Sequence, residues 1–224
     1  MIEVDLHLHT TLSNCAEMDI VRIAEVFRNA RRPIVTATDH GSTDACRRLR
    51  ELLPDALVIF GNEITAAEGD FLVFSVDEDY VTGLPKKVDT VADLRRDERT
   101  AVIWAHPRVS QRARSWEAPK LPDVLKVVPY IDGLETINGT MLSLNKEGVL
   151  RRDYFANLVR IGIEYSLAMT GGSDAHDLDM LLRCGTRFPN NVNDAESFIE
   201  AIKLCRVSPV FDRNYFGDDV SLSG

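Results

Sequence analysis

The sequence predicts an α/β fold, arranged as a closed or nearly closed β/α barrel. Short apolar runs rich in β-branched residues alternate with segments of helical periodicity along the chain. Seven or eight such strand-helix units fit into its 224 residues. Strands that alternate with helices are expected to pair in parallel through right-handed crossovers. An open, doubly wound sheet is the competing architecture.

The predicted strands are short, and polar or helical segments separate them. In chain order they are Val4 to Leu8, Ile34 to Ala37, Leu57 to Phe60, Phe71 to Val76, Ala101 to Trp104, Gly133 to Thr136, Ser166 to Met169 and Thr186 to Phe188.

The helices are predicted from the spacing of apolar residues and from residues that typically begin or end a helix. Apolar residues recur at intervals of three and four in the first helix, Pro54 ends the second, and Asp194 is a typical N-cap for the last. The helices are Met18 to Ala30, Thr43 to Leu53, Val88 to Arg99, Leu121 to Val127, Asn145 to Ile161 and the segment after Asp194. Residues 1–206 form the predicted barrel domain, and residues 207–224 a tail that packs on it or extends from it.

Composition excludes several classes of protein. The formal net charge of -9 argues against a protein that neutralises the phosphates of extended nucleic acid. The longest apolar runs have five residues, whereas a membrane-spanning helix needs about 20. The first residues lack a basic start and a long apolar stretch, so we expect no signal peptide. Four cysteines without C-x-x-C spacing predict reduced thiols in a cytoplasmic protein.

The strongest local signal for chemistry is the segment Asp5-Leu6-His7-Leu8-His9. Alternate side chains of a strand share a face, so His7 and His9 point the same way and can hold one metal ion. A pair of surface histidines on an edge strand would give the same pattern.

All five histidines, together with several carboxylates, follow predicted strands. The carboxyl ends of barrel strands converge on one face, which carries the active site in β/α barrels. Histidine nitrogen mixed with carboxylate oxygen suits Zn, Mn or Fe(II). These candidate ligands are more than one ion needs. Their number favours a cluster of two or three ions, bridged by a carboxylate such as Glu63. The residues are His7, His9, Asp39, His40, Glu63, His106, Asp174 and His176.

With these motifs in this order, the sequence resembles the PHP superfamily, the polymerase and histidinol phosphatase domains. The matching segments are Asp5 to His9, Thr38 to Gly41, Gly61 to Glu63, Ala105 to Pro107 and Gly172 to His176. The resemblance implies a distorted (β/α)7 TIM-like barrel with a di- or trinuclear metal site that hydrolyses phosphate esters.

The resemblance also implies a role for each residue. A first ion would be held by His7, His9, Glu63 and Asp174, a second by Glu63 and His106, and a third by His40 and His176. Asp39 would orient a ligand or relay a proton. The sequence lacks the further histidine that many family members have after the bridging glutamate, and Asp70 is the candidate substitute. Cys15 or Asn14 stands where the third site usually has an aspartate or histidine.

Three residues are candidates for contact with substrate. Arg108 and Arg112 follow His106, and a guanidinium suits bidentate contact with phosphate oxygens. Arg108 is the leading candidate because it lies next to a predicted ligand. Asn138 ends another predicted strand on the same face. A solvated basic loop is the alternative interpretation of the arginines.

The sequence thus predicts a metal-dependent phosphoesterase in which a metal-activated hydroxide attacks phosphorus. The expected substrate is a small phosphomonoester, such as a nucleotide or sugar phosphate, and no membrane partner is expected. One alternative is a phosphodiesterase acting on cyclic or short oligonucleotides. Others are a non-catalytic PHP module with a structural metal site and a barrel that hydrolyses an amide or lactone.

Overall fold

The computed structural model describes residues 1–94, 97–108, 116–150 and 153–217. Its strands are β1 (Ile2–Val4), β2 (Ile34–Ala37), β3 (Leu57–Ala66), β4 (Gly69–Ser75), β5 (Thr100–Ala105), β6 (Gly133–Asn138), β7 (Ala168–Gly172), β8 (Cys184–Phe188) and β9 (Ser208–Phe211). Its helices are α1 (Ile20–Asn29), α2 (Asp44–Leu52), α3 (Glu78–Gly83), α4 (Leu121–Val127), α5 (Gly139–Lys146), α6 (Tyr154–Glu164), α7 (Ala195–Lys203) and α8 (Arg213–Phe216).

The strands form two sheets. A curled, half-barrel sheet has the order β2-β3-β4-β5-β6-β7, and an antiparallel sheet has the order β1-β8-β9. The mixed α/β class is therefore as predicted, whereas a complete (β/α)7 barrel is not confirmed.

The expectation of a wholly parallel sheet is wrong at its centre. Strands β3 and β4 form an antiparallel hairpin, and β4 also runs antiparallel to β5. The hairpin pairs Ala66 with Gly69, which leaves a turn of two residues, and Gly69 has a φ of +140°. A two-residue turn joins antiparallel neighbours without a crossover helix. The turn Ala67-Glu68 lacks the Asn-Gly or Asp-Gly signal that would have predicted it.

Helices cover both faces of the curled sheet. Along β4, Phe71 packs with the residues of α4 to α6, whereas Phe74 faces the opposite way. Phe198 of α7 packs against Phe74 and Phe188, with ring centroids 5.7 Å and 4.6 Å apart. Alternate side chains of a strand point to opposite faces, so a strand buried on both faces has a continuous apolar sequence, as β4 does.

The segment that follows β1 joins the two edge strands of the curled sheet. The amide of Thr38, just after β2, donates to the carbonyl of Leu8, and the amide of His9 donates to the carbonyl of Ala175, just after β7. The predicted strand from Val4 to Leu8 is thus a short strand followed by an extended segment. The carboxyl ends of β2 and β7 consequently meet at the same place as His7 and His9.

Two predicted helices differ in the structure. Within the described part of Val88 to Arg99, helical geometry is limited to a 3-10 turn at Val91–Asp93, and the preceding helix α3 was not predicted. The predicted helix from Asn145 to Ile161 is two helices, α5 and α6. Gly148 has a φ of +72°, which ends α5 in a left-handed conformation that glycine adopts readily.

The expected tail, residues 207–224, is described to residue 217. In that part β9 pairs with β8, and α8 follows. The four cysteines lie in described ranges and are free thiols, as expected. None of the helices within the described ranges is long and apolar enough to cross a membrane.

Candidate metal centre

Side chains from five parts of the fold meet at one end of the curled sheet. His7 and His9 come from the segment after β1, and both are fully buried. Histidines also follow β2, β5 and β7, a glutamate lies within β3, and an aspartate lies after β7. These are His40, His106, His176, Glu63 and Asp174. The structure thus brings together all five histidines and the two principal carboxylates predicted from sequence.

Glu63 lies at the centre of the cluster. Its Oε1 is 3.4 Å from Nε2 of His7 and 3.3 Å from Nε2 of His106. Its Oε2 is 3.1 Å from Nε2 of His9 and 3.3 Å from Nδ1 of His40. Each oxygen therefore faces a different pair of imidazoles. This is the arrangement expected of a carboxylate that bridges two cations.

Asp174 approaches the same histidines from the opposite side. Its Oδ1 is 3.4 Å from Nε2 of both His7 and His9, and its Oδ2 is 4.0 Å from Nε2 of His106. The backbone of Asp174 has a φ of +52°, a strained value for a residue with a side chain. The hydrogen bond from its amide to the carbonyl of His7, at 2.6 Å, holds it there.

The backbone of His106 is also strained, with a φ of +27°. Trp104 and Ala105, which precede it on β5, pack on opposite faces of the sheet. Regular alternation would place the His106 side chain on the face of Trp104, away from Glu63. The left-handed backbone turns the imidazole toward the other histidines. Strain of this kind is concentrated at functional sites.

The charge balance of the cluster favours a cation at its centre. Burial lowers the pKa of His7, but Asp174, Glu135 and Glu63 outweigh burial and raise it well above its usual value. Burial also lowers the pKa of His9, but hydrogen bonds to Asp174 and Glu63 raise it to about 9. The same contacts hold the pKa of Glu63 well below its usual range despite burial. Protons on these histidines are replaceable by metal ions.

The donor atoms fall into groups suited to metal ions. Nδ1 of His40 is buried and lies 3.3 Å from Oε2 of Glu63, but it forms no hydrogen bond within the described residues, which fits an atom that binds a ligand. In each of the following groups the donor atoms lie within 4.8 Å of one another: His7, His9 and Glu63; His7, His106 and Asp174; Glu63, Asp70 and His106; His9, Asp174 and His176; His9, Cys15 and His40. Asp70 and Cys15, the two candidates that sequence left open, are thus both within reach of an ion.

Glu135 orients the histidines without facing an ion. Its Oε1 and Oε2 lie 3.2 Å and 3.3 Å from Nδ1 of His7, and Oε2 also accepts from the backbone amide of His106. A carboxylate on Nδ1 fixes the ring orientation and leaves Nε2 with a lone pair for a metal. Glu135 thus holds the ring of His7 and the backbone of His106 in place.

Two predicted site residues are engaged elsewhere. Both oxygens of Asp39 accept hydrogen bonds of 2.7 Å from the amide and hydroxyl of Thr10. The Asn138 amide donates to Glu135 and accepts from the amide of Met141 at the start of α5. Both side chains are buried, so their positions favour holding the cluster together over catalysis by Asp39 or substrate contact by Asn138.

Of the two predicted arginines, Arg108 lies among the described residues. Arg108 is exposed and lines the cleft above the cluster, and its guanidinium lies 4.1 Å from the centre of the Trp116 ring. Stacking of this type limits the conformations of the arginine. Arg112 lies outside the described residues.

Sequence reasoning missed two residues of the site. Thr140 lines the cleft and donates from its hydroxyl to the carbonyl of Asp174. The hydroxyl of Ser13 lies 3.4 Å from Nδ1 of His9 and accepts from the amide of His40. Ser13 lies in a bend and Thr140 in the first turn of α5, both near predicted ligands. Hydroxyl residues are common at turns and helix starts, so the pattern alone does not single them out.

Comparison with known proteins supports the family indicated by the motifs. Among curated proteins, no sequence matches the chain. A family model described as PHP-associated matches residues 160–207, which cover β7, β8 and α7. Over these residues the match supports the resemblance to the PHP superfamily.

Solved structures are similar in fold to the chain over nearly its whole length. PsfC from Pseudomonas syringae has a TM-score of 0.65 and 19% identity, over 99% of this chain and 94% of PsfC. A proposed metal-dependent phosphoesterase from Bifidobacterium adolescentis has a TM-score of 0.58 and 17% identity, over 91% and 96% of the two chains. An amidohydrolase from Chromobacterium violaceum, solved with sulfate and no metal, has a TM-score of 0.57 and 11% identity, over 93% and 97%. These similarities establish a shared fold.

Proposed function

We propose that this protein is a metal-dependent phosphoesterase that hydrolyses a small phosphomonoester, such as a nucleotide or sugar phosphate. The observation that carries the proposal is Glu63, a buried carboxylate whose two oxygens each face two histidine nitrogens at 3.1–3.4 Å. An exposed arginine, Arg108, lines the same cleft. The similarity to a proposed phosphoesterase supports the reaction class.

Two or three divalent ions, Zn, Mn or Fe, would fit the donor groups. The first would take His7, His9, Glu63 and Asp174, and the second Glu63, His106 and Asp70. The third would take His40 and His176, as the resemblance implies; Cys15 shares a donor group with His40, and Asp174 shares one with His176. Such ions supply Lewis acidity and lower the pKa of water. The fit rests on the orphaned nitrogen of His40 and on the strained backbones of His106 and Asp174.

The chain's own residues bind and orient the substrate. The Arg108 guanidinium carries donors spaced to meet two oxygens of a phosphate group. Glu135 keeps Nε2 of His7 directed at the cluster, and Asp39 holds the segment after His9 in place through Thr10. In the reaction, a water oxygen forms the new bond to phosphorus and the ester P–O bond breaks. The alcohol leaves with one proton of that water.

The cleft favours a small substrate over a long one. Its volume is about 240 Å³, and the residues that line it are mostly ligand candidates. The formal charge of -9 would repel an extended polyphosphate chain. A phosphodiesterase acting on cyclic or short oligonucleotides is the competing enzyme, and the substrate panel below distinguishes it.

The test is phosphate release by the metal-loaded protein. Colorimetric assays with p-nitrophenyl phosphate, bis-p-nitrophenyl phosphate and p-nitrophenyl acetate compare monoester, diester and carboxylic ester hydrolysis. We expect the monoester to be the best substrate, and His7→Ala or Asp174→Ala to abolish its hydrolysis. Asp79→Ala, an exposed aspartate on α3, is the matched control and should retain activity.

Each remaining outcome selects another function. Preference for the diester would select the phosphodiesterase, and preference for the acetate would select a hydrolase of carboxylic derivatives. No activity with one tightly held ion per chain would select a non-catalytic module. Full activity in both His7→Ala and Asp174→Ala, with folding unchanged by circular dichroism, would overturn the proposal.

A further inference from the structure

A second cavity lies beside the metal-ligand cleft, on the outer face of the curled sheet. Its volume is about 340 Å³, and it lies between the turn of the β3–β4 hairpin and helix α4. Arg108 lines both this cavity and the cleft. The cavity also includes Trp104, which lies on β5 two residues before His106. Arg108 therefore lies at the boundary between the two spaces.

The lining of this cavity, which we call the Trp104 cavity, combines apolar surface with an open hydrogen-bond donor. Trp104 is 2% exposed, and no hydrogen bond joins its indole N–H to the described residues. The nitrogen is not one of the fully buried side-chain atoms that lack a partner, so it borders open space. An indole N–H usually has a hydrogen-bond partner. Gly69 lies next to it, and a Cβ at Gly69 would lie 3.0 Å from Nε1. The glycine therefore leaves the nitrogen edge of the indole uncovered.

Apolar and charged groups complete the cavity. Ala67, Pro119 and Val127 supply apolar surface beside Trp104. Glu68 and Asp123 supply two negative charges, and Arg108 and Lys126 two positive charges. One oxygen of Glu68 accepts from the amide of Val91, which holds the carboxylate in position. A mainly apolar recess with a few fixed polar groups is typical of a small-molecule site. A polyhydroxylated or short aliphatic group would leave the apolar lining and the indole donor poorly used.

We propose that the Trp104 cavity binds the alcohol part of the substrate, and that this part is an aromatic or heterocyclic ring with an acceptor for the indole N–H. The proposal rests on the proposed function, because it places the phosphate at the cluster beside Arg108. It narrows the substrate to phosphomonoesters of ring-bearing alcohols. Stacking on Trp116 holds the Arg108 side chain at the junction between the two spaces.

The proposal is tested by a substitution at an exposed position, where the new side chain fills the Trp104 cavity. Ala67 is exposed in the hairpin turn, so Ala67→Trp should fold while its ring occupies the recess. Ala30→Trp, an exposed alanine after α1, is the matched control. Hydrolysis of phenyl phosphate and methyl phosphate is compared as a ratio of kcat/KM. We expect Ala67→Trp to lower the phenyl-to-methyl ratio by about tenfold or more, and Ala30→Trp to leave it as in the natural sequence.

A binding measurement separates this proposal from the proposed function. Phenylphosphonate and methylphosphonate, which are not hydrolysed, are titrated into the same proteins and followed by ligand-observed NMR. Weaker binding of phenylphosphonate in Ala67→Trp alone would support the ring site even if no phosphate ester were hydrolysed. Hydrolysis with an unchanged phenyl-to-methyl ratio and unchanged phenylphosphonate binding would overturn the ring site and leave the phosphoesterase proposal intact. Weaker binding of both phosphonates to an equal degree would also overturn it.

Discussion

At the scale of single residues, Glu135 shows how a side chain outside the donor groups controls them. Replacing Glu135 with glutamine keeps its size but exchanges one acceptor oxygen for a donor nitrogen. The contacts to Nδ1 of His7 and to the amide of His106 then cannot both be satisfied. We expect Glu135→Gln to weaken metal binding by about 10–100-fold in a competition with a chelator. The exposed Glu98→Gln is the control, and equal affinities in the two variants would contradict this role.

The protonation of His7 and His9 predicts that metal uptake releases protons. The pKa of His9 is raised to about 9 and that of His7 is raised well above its usual value, which favours protonation of these rings in metal-free protein. Ligand histidines must be neutral, so metal affinity should rise as pH rises toward the folded pKa values. Calorimetric titration at about pH 7.5 in buffers of different ionisation enthalpy measures the protons released. A heat that does not depend on the buffer would contradict this expectation.

The ligand residues themselves could be predicted from sequence, whereas their supports could not. His7, His9 and Glu63 can be recognised from the sequence because each is an ionisable residue at the end of, or just beyond, an apolar run. The contact of His7 with Glu135 spans 128 positions, and that of Thr140 with Asp174 spans 34. Contacts of this length depend on strand order and backbone strain, which local patterns do not encode.

At the scale of secondary-structure elements, the break between α5 and α6 depends on one backbone conformation. Gly148 has a φ of +72°, and no atom of the described residues lies within 4 Å of a Cβ placed there. Gly148→Ala therefore costs only the left-handed strain, and we expect it to lower the free energy of unfolding by about 1–2 kcal/mol. Gly83, at the end of α3, is equally open but lacks a positive φ.

The matched variant Gly83→Ala should change stability in the opposite direction. Alanine reduces the conformational entropy of the unfolded chain, and about 0.4–1 kcal/mol of added stability is expected at a compatible position. Urea denaturation of the two variants compares them directly. If both lost or both gained stability, the left-handed strain at Gly148 would not be the deciding effect.

Sequence patterns predicted the secondary-structure elements whose signals are local. Helix α7 begins after Asp194, whose carboxylate accepts from the amide of Ser197, and this local capping signal was sufficient. The hairpin of β3 and β4 was missed because its direction depends on the two-residue turn rather than on the strands. Both strands are buried on two faces, so their apolar sequences are as compatible with parallel as with antiparallel neighbours.

At the scale of the whole molecule, the candidate ligands connect elements that hydrogen bonds join only in part. The first and last strands of the curled sheet meet through the segment that carries His7 and His9, and Glu63 and His106 reach the same point from its centre. Ions bound to these side chains would tie the two edges of the sheet to its middle. Because the unfolded chain cannot preserve this arrangement, binding should favour the folded state.

This arrangement predicts a large effect of divalent ions on thermal stability. With free ion at a hundredfold excess over its dissociation constant, each independent site adds about 2.7 kcal/mol. For a chain of this size, that corresponds to a rise in Tm of about 5–10 °C. Differential scanning calorimetry should show this rise when Zn or Mn is added to chelator-treated protein, and Asp174→Ala should reduce it. The exposed Asp79→Ala should show the full rise, and a Tm that is the same with ion and with chelator would mean that the cluster does not bind metal tightly.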